Sequence, residues 1–237
     1  MKAQTLSFSV GEPVPDWHGR PAPVGVVLTG QACRLEPVDP ARHADALFQA
    51  YSQMADARDW LYLSVGPFPD AQAYRAYVQK IAGETDPLHF TVVDLRNESP
   101  VGTLALMRQQ PQHGVVEVGF VMFSPALQRS RISTEAQFLL MSHVFDELGY
   151  RRYEWKCDSL NAPSRKAADR LGFSFEGIFR QAVIYKGRSR DTAWFSIIDK
   201  EWPSLKVAFL AWLSKANFDA QGQQRQSLSS VRSATKA

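Results

Sequence analysis

Two strand signals, each followed at once by a helix start, constrain this chain most. Val115–Phe123 reads as a strand, with Glu117, Gly119, Val121 and Phe123 on one face. A short loop (SPALQRSRIS) leads into the best helix of the chain, Thr134–Leu148. There Phe138, Met141, Phe145 and Leu148 repeat at helical spacing, and Gly149 supplies the stop. A second strand, Tyr153–Asp158, is followed by Asn161, which can cap a helix with Pro163 in its first turn and Gly172 after its end. The first N–H groups of a helix lack partners and its dipole favours negative charge there, so a helix start is an anion site. Arg129 and Arg131 stand just before the first of these starts. Two strands with helix starts at their carboxyl ends make the kind of crevice in which open α/β sheets bind ligands.

The flanking sequence extends the same alternation. Val26–Leu28 and Cys33–Val38 flank Thr29-Gly30 as a hairpin. Pro40–Ser52 reads as a helix with Ala44, Leu47, Phe48 and Tyr51 on one face. Residues 54–69 are irregular and aromatic, and Asp70 can cap a helix running through Ala82 to Gly83. His89–Asp94 and Val101–Met107 read as strands. Phe173–Ile184 and Asp191–Ile198 read as a hairpin, and Pro203–Ala216 as a last helix striped by Leu205, Phe209, Trp212 and Leu213. The order implies a mixed sheet with helices packed on it. Residues 1–25 are expected to be an extended Pro/Gly-rich segment and 26–216 a single domain with the helix 203–216 added. Residues 217–237, rich in Gln and Ser, are expected to be a disordered tail.

Composition excludes several classes. Hydrophobic residues make up 45% of the 237, enough for a real core without metal or disulfide staples. Lys and Arg number 27 against 24 Asp and Glu, too even a balance to argue for a nucleic-acid partner. The longest apolar run, Val207–Leu213, falls far short of the ~18–20 residues that span a bilayer, so no membrane partner is expected. The N-terminal MKAQTLSFSV has no apolar stretch of the signal-peptide kind, and Cys33 and Cys157 read as reduced thiols. The expected compartment is the cytoplasm. No GxGxxG, GxxxxGK[ST] or HExxH occurs, and the five histidines share no metal spacing, so no metal is expected.

The stretches QRSRISTEA, VFDELGYRR and NAPSRKAADRLGFSFEGIFR together resemble the GNAT superfamily of acyl-CoA-dependent N-acetyltransferases. The likeness is to the branch containing the ribosomal-protein N-terminal (Rim-type) acetyltransferases and small-amine acetyltransferases. Its marks are Thr134-Glu135-Ala136, Glu147-Leu148-Gly149, and Asn161, Ser164, Leu171, Gly172, Phe173, Glu176 and Gly177. The resemblance implies an α/β (α+β mixed) fold. Its mostly antiparallel sheet would have a splayed parallel central strand pair and helices on both faces. It implies acetyl-CoA as co-substrate and no metal, with acetyl transferred directly to a primary amine of a small molecule or a protein N-terminus; homodimers are common in the branch.

Carried onto this chain, the strand end Val121, Met122, Phe123 and the loop Gln128, Arg129, Ser130, Arg131, Ile132, Ser133, Thr134 would hold the pantetheine and pyrophosphate. Asn161 would face the cofactor and Ser164 would lie near its sulfur. The sequence departs from the family loop: Arg131 and Ser133 stand where it has small residues. The tyrosine that many relatives use as acid falls at Ala168.

Each candidate carries a plainer alternative. Glu117 reads as the base or water-positioning group, or as a salt-bridged strand carboxylate. Ser164 reads as the donor to the sulfur, or as a helix-start serine bonding the backbone. Glu154 and Asp158 read as structural, and Cys157 as a buried thiol. Trp60, Tyr62, Tyr185 and Trp194 are the aromatic positions for an acceptor pocket, against packing in the core. Arg190-Asp191 at a hairpin end reads as an ion pair or turn support, against substrate contact. Three functions follow, in order: an N-acetyltransferase, a non-catalytic acyl-CoA-binding or sensing protein, and an interaction module without the cofactor.

Overall fold

Strands β1 (Leu28–Thr29), β2 (Cys33–Pro37), β3 (Leu88–Asp94), β4 (Ser99–Gln110), β5 (Val115–Phe123), β6 (Arg152–Asp158), β7 (Ser174–Tyr185) and β8 (Arg188–Ile198) form one sheet. Its order is β1-β2-β3-β4-β5-β6-β8-β7. Every neighbouring pair is antiparallel except β5–β6, which is parallel. These strands belong to a computed structural model that describes residues 10–235. The reading of the N-terminal residues as no signal peptide concerns residues 1–9, which lie outside the described residues.

The parallel pair separates partway. Pairing runs from Val115↔Arg152 to Val118↔Trp155 and stops, although β5 continues to Phe123 and β6 to Asp158. A bulge bends β5 at this point. Ala105 faces Gly119 and Thr103 faces Met122, so β5 spends three steps where β4 spends two. Phe120, the extra residue, sits at φ +48. A bulge of this kind kinks its strand and disrupts the ladder locally. It also corrects the alternation read from the sequence. Met122, not Val121 and Phe123, shares the face of Glu117 and Gly119, while Val121 and Phe123 pack with the opposite core. A Cβ at Gly119 would meet the Met107 sulfur, so that flexible side chain would have to shift to admit one.

Helices cover both faces. α1 (Pro40–Ser52) and α2 (Ala71–Ala82) bury Leu47, Tyr51, Tyr74, Val78 and Ile81 with Met122 on one side. α3 (Arg131–Ser142), α4 (Ala162–Leu171) and α5 (Trp202–Leu213) pack the larger core on the other. Asp70 and Asn161 cap their helices as the sequence suggests, and Asp39, which the sequence did not single out, caps α1; each accepts from first-turn N–H groups. Each such cap contributes about 1 kcal/mol. Ser130 caps α3, so that helix starts three residues before Thr134. It ends at Ser142 and passes through a wider turn, His143–Glu147. Gly172 closes α4 at φ +102, a conformation glycine adopts without strain.

The C-terminal region departs from expectation. Residues 217–235 are not a structureless tail, and α5 is not the last helix. Phe218 and Gln224 form a bridge, and α6 (Leu228–Thr235) docks on α4 and α5. Composition misleads because its few apolar residues all find partners: Leu228 is fully buried, and Phe218 and Val231 pack on the main core. Arg232 donates to the carbonyls of Asp169 (2.6 Å) and Arg170 (3.0 Å), satisfying orphan acceptors at the end of α4. The stretch from Val10 to Val27 holds no strand or helix. It is pinned by Trp17 donating to the Gln112 carbonyl at 2.7 Å and Tyr150 donating to the Pro21 carbonyl at 3.0 Å. Among the described residues no helix is long and apolar enough to cross a membrane.

Candidate functional site

Where β5 and β6 part, a cleft of about 2020 Å³ opens. That exceeds the ~300–1,000 Å³ of most ligand pockets, leaving room for two reactants. All the cofactor candidates, Val121–Phe123, Gln128–Thr134, Asn161 and Ser164, line it. Beyond Val118 the edge of β5 that faces β6 has no strand partner, although the Met122 and Phe123 carbonyls are taken by Tyr51 and Gln128.

The α3 side is built from backbone and uncommitted cations. Ser130 accepts from the Ser133 N–H at 3.2 Å, leaving other first-turn amides of α3 directed toward the cleft. The Gln128 amide donates to Asp59 and to the Phe123 carbonyl, both at 3.0 Å, which ties this loop to the residues before α2. Arg129 lies exposed at φ +57, with no ion pair or hydrogen bond among the described residues. Arg131 behaves differently. Its guanidinium donates to the Leu213 carbonyl and to Gln31 Oε1, and lies 5.0 Å over the Phe218 ring. The residue that replaces a loop glycine is thus an anchor for the C-terminal segment.

Two further residues on this side escaped the sequence reading. Arg170 donates from both Nη atoms to Thr134 Oγ1 at 3.1 Å and lies 5.1 Å over Trp212, with no acid within ion-pair distance. Burial pushes its pKa down, so it is a cation short of compensation. Gln137, 2% exposed, leaves both amide atoms unbonded while lining the same cleft. A buried amide without partners costs roughly 1–3 kcal/mol. These groups suit a polar, phosphate-bearing ligand. No local motif marks them, because Arg170 reads only as an exposed charge near a helix end.

Asn161 accepts from the Ser164 N–H at 3.1 Å, fixing the start of α4. Trp155 Nε1 donates to Ser164 Oγ at 2.9 Å. A hydroxyl that accepts there keeps its own proton to donate. Ala168, at the position of the family tyrosine, is fully buried and offers no acid.

The other face of the splay carries paired charge. Glu117 is 5% exposed; its Oε2 lies 2.9 Å from Lys156 Nζ and 3.4 Å from Arg108 Nε. Lys156 also reaches Glu154 at 2.6 Å, and its ammonium lies 3.8 Å over the Trp194 ring. Arg152 continues the row to Glu154 (2.7 Å) and Glu176 (2.6 Å). Burial pushes the Glu117 carboxyl above its ordinary pKa, and Lys156 and Arg108 oppose the rise. Glu154 belongs to this paired row, in keeping with its reading from the sequence as structural.

The aromatic candidates divide. Tyr62 and Tyr185 line the cleft; the Tyr62 hydroxyl donates to the Leu160 carbonyl at 3.2 Å and the Tyr185 hydroxyl to Asp158 at 3.0 Å. Trp60 does not line it. That ring packs edge-on against Tyr51 and Phe68 in the second core. Trp194 lies behind Lys156, with Phe179 at 4.4 Å. The Lys186 ammonium at the β7–β8 turn donates to the carbonyls of Trp60 (2.8 Å) and Val65 (3.3 Å), tying that turn to the segment before α2. Asp191 accepts from the Gln181 N–H at 2.7 Å, a turn support as the sequence suggests. Cys33 and Cys157 are free and buried. Among the described residues no group of three His, Cys, Asp or Glu is placed to hold a metal ion.

Residues 33–174 match the model of the acetyltransferase (GNAT) domain. The chain is 27% identical over 162 residues to N-acetyltransferase p20 of Bacillus licheniformis, itself uncharacterized, covering 67% of this chain and 89% of that protein. A crystal structure of a GCN5-related N-acetyltransferase from Brucella melitensis is 46% identical. It covers 93% of this chain and all of that one, with a TM-score of 0.90. A Salmonella typhimurium acetyltransferase that modifies the N-terminal serine of ribosomal protein L7/L12 shares the fold. It has TM-score 0.61 at 22% identity, covering 73% of this chain and 99% of that one. A family match across more than half of the chain, joined to a near-full-length likeness, shows that the chain belongs to the GNAT acetyltransferase family and is an N-acetyltransferase.

Proposed function

We propose that this enzyme moves an acetyl group from acetyl-CoA directly to a primary amine, of a small molecule or of a protein N-terminus, in the cytoplasm. One observation carries the reading. The splay places an anion-receptive helix start on one side of the open β5 edge and a buried carboxylate on the other. Acetyl-CoA supplies a thioester carbonyl and a thiolate leaving group. The chain's groups then divide the work.

The α3 start, Arg129 and Arg170 receive phosphate charge, and Gln137 supplies amide donors or an acceptor beside them. Backbone N–H groups on the unpaired edge of β5 beyond Val118 stabilise negative charge on a carbonyl oxygen, and were such a donor lost the rate would fall by about 10²–10³. Glu117 accepts a proton from the acceptor ammonium, directly or through one water. The Ser164 hydroxyl donates to the departing sulfur. A thiolate of pKa ~8.5 needs little help, so serine suffices where relatives keep a tyrosine. Tyr62 and Tyr185 form the acceptor wall.

Calorimetry with acetyl-CoA and CoA release over a panel of amines test this reading. Saturable binding and turnover are expected. Glu117→Gln should lower kcat by about 10²–10⁴ while acetyl-CoA binding stays intact. No binding at saturating acetyl-CoA sinks the reading. Binding without turnover on any amine would instead favour a sensing protein on the same fold.

A further inference from the structure

Glu117 has one principal counter-charge, and it is buried with it. We propose that Lys156 is a positioning residue for acetyl transfer: its ammonium holds Glu117 as a fixed, ionised carboxylate at the splay. The inference rests on the reading of Glu117 as the base.

The charged groups acting on Glu117 are Lys156 and Glu154 from β6 and Arg108 from β4. Arg108 is 53% exposed at its side chain and stands 3.4 Å away, so solvent screens it. Glu154 adds negative charge, but Arg152 already pairs with it at 2.7 Å and with Glu176 beyond. Lys156 is therefore not needed to neutralise Glu154. Its side chain is 5% exposed, 2.9 Å from Glu117 Oε2, and lies against the Trp194 ring. That ring bars the ammonium from water on one side and attracts it through its π face. A lysine this buried is stable as a cation only with its partners in place. The same contact opposes the rise in the Glu117 pKa that burial imposes.

The proton balance follows. The acceptor ammonium loses one proton to Glu117, and the freed amine lone pair forms the C–N bond; as the C–S bond breaks the nitrogen gives up a second proton, which passes through the Ser164 hydroxyl to the leaving thiolate. Lys156 gives up no proton. It sets the pH at which Glu117 becomes a base and holds the carboxylate against rotation away from the cleft.

The test uses the full chain as wild type, Lys156→Met, Lys156→Arg and Glu117→Gln. The readouts are kcat/KM against pH, acetyl-CoA affinity, and the ¹³C titration of the Glu117 carboxyl, assigned by its loss in Glu117→Gln. In Lys156→Met the acid limb and the carboxyl midpoint should both move up by about one pH unit or more. Acetyl-CoA affinity should stay within about twofold, because no anion site is touched. Lys156→Arg should keep the limb near its wild-type position. An unmoved limb and midpoint in folded Lys156→Met overturn the proposal. In the wild type the Lys156 ¹⁵Nζ resonance should exchange slowly and follow the Glu117 midpoint, a reading independent of any variant's folding; a resonance indifferent to that midpoint also overturns it. Full turnover in Glu117→Gln overturns the base reading and this proposal together. Turnover lost there, with an unmoved limb in Lys156→Met, overturns this proposal alone.

Discussion

The two sides of the splay handle charge in opposite ways. On the α3 side, among the described residues, the Arg129 side chain has no partner and the Arg170 guanidinium meets only a hydroxyl and a ring. On the Glu117 side every charge is answered, from Arg108 through Glu117, Lys156 and Glu154 to Arg152 and Glu176. Unanswered cations suit a ligand that brings its own negative charge. Answered charges suit a proton transfer, where the carboxylate must stay in place and change state by one proton. One sheet can host both because the splay opens onto its two faces at a single point.

Three substitutions can break or sharpen this contrast. The largest effect is expected for Arg170→Met. Losing a charge-assisted contact of about 1.5–3 kcal/mol should weaken acetyl-CoA binding by roughly ten- to a hundredfold, read by calorimetry. The acid limb of the pH profile should not move, and if it moves the two sides are not separate. Arg131→Met comes next. Its contacts are internal, so stability should fall by about 1–2 kcal/mol in urea unfolding, while acetyl-CoA affinity falls less than for Arg170→Met. Equal losses in affinity would place Arg131 on the ligand after all. Ser164→Ala should be mildest, lowering kcat about two- to fivefold, since the thiolate needs little assistance. A steady-state loss above a hundredfold would make Ser164 essential.

Much of this molecule was legible before folding. The caps Asp70 and Asn161, the glycine stop at Gly172 and the strands of the parallel pair are local, because each depends on residues a few positions apart. The cleft-lining loop Gln128–Thr134 was legible for the same reason. What escaped depends on distant partners. The bulge at Phe120 exists only in register with β4, and it reverses which side chains of β5 share a face. Arg131 looked like a phosphate ligand until Leu213 and Phe218, some eighty residues later, occupied it. Glu135 marks the family in sequence, yet its carboxylate is structural: it accepts from the N–H groups of Gln31, Ala32 and Cys33 at 2.7–3.0 Å. Trp60 could not be told from a pocket aromatic, since both uses want the same ring.

The sequence by itself determined the order of the elements from β1 to α5, the caps at Asp70 and Asn161 and the strand–loop–helix unit that lines the cleft. These follow from propensity, capping and periodicity, which act along the chain. Only the tertiary structure decided which cations remain free and which carboxylate is buried beside a lysine. It also decided that residues 217–235 are a docked strap and not a tail. The reason is that charge pairing and burial are settled between segments far apart in sequence, and a residue's chemistry follows from the partner it meets there.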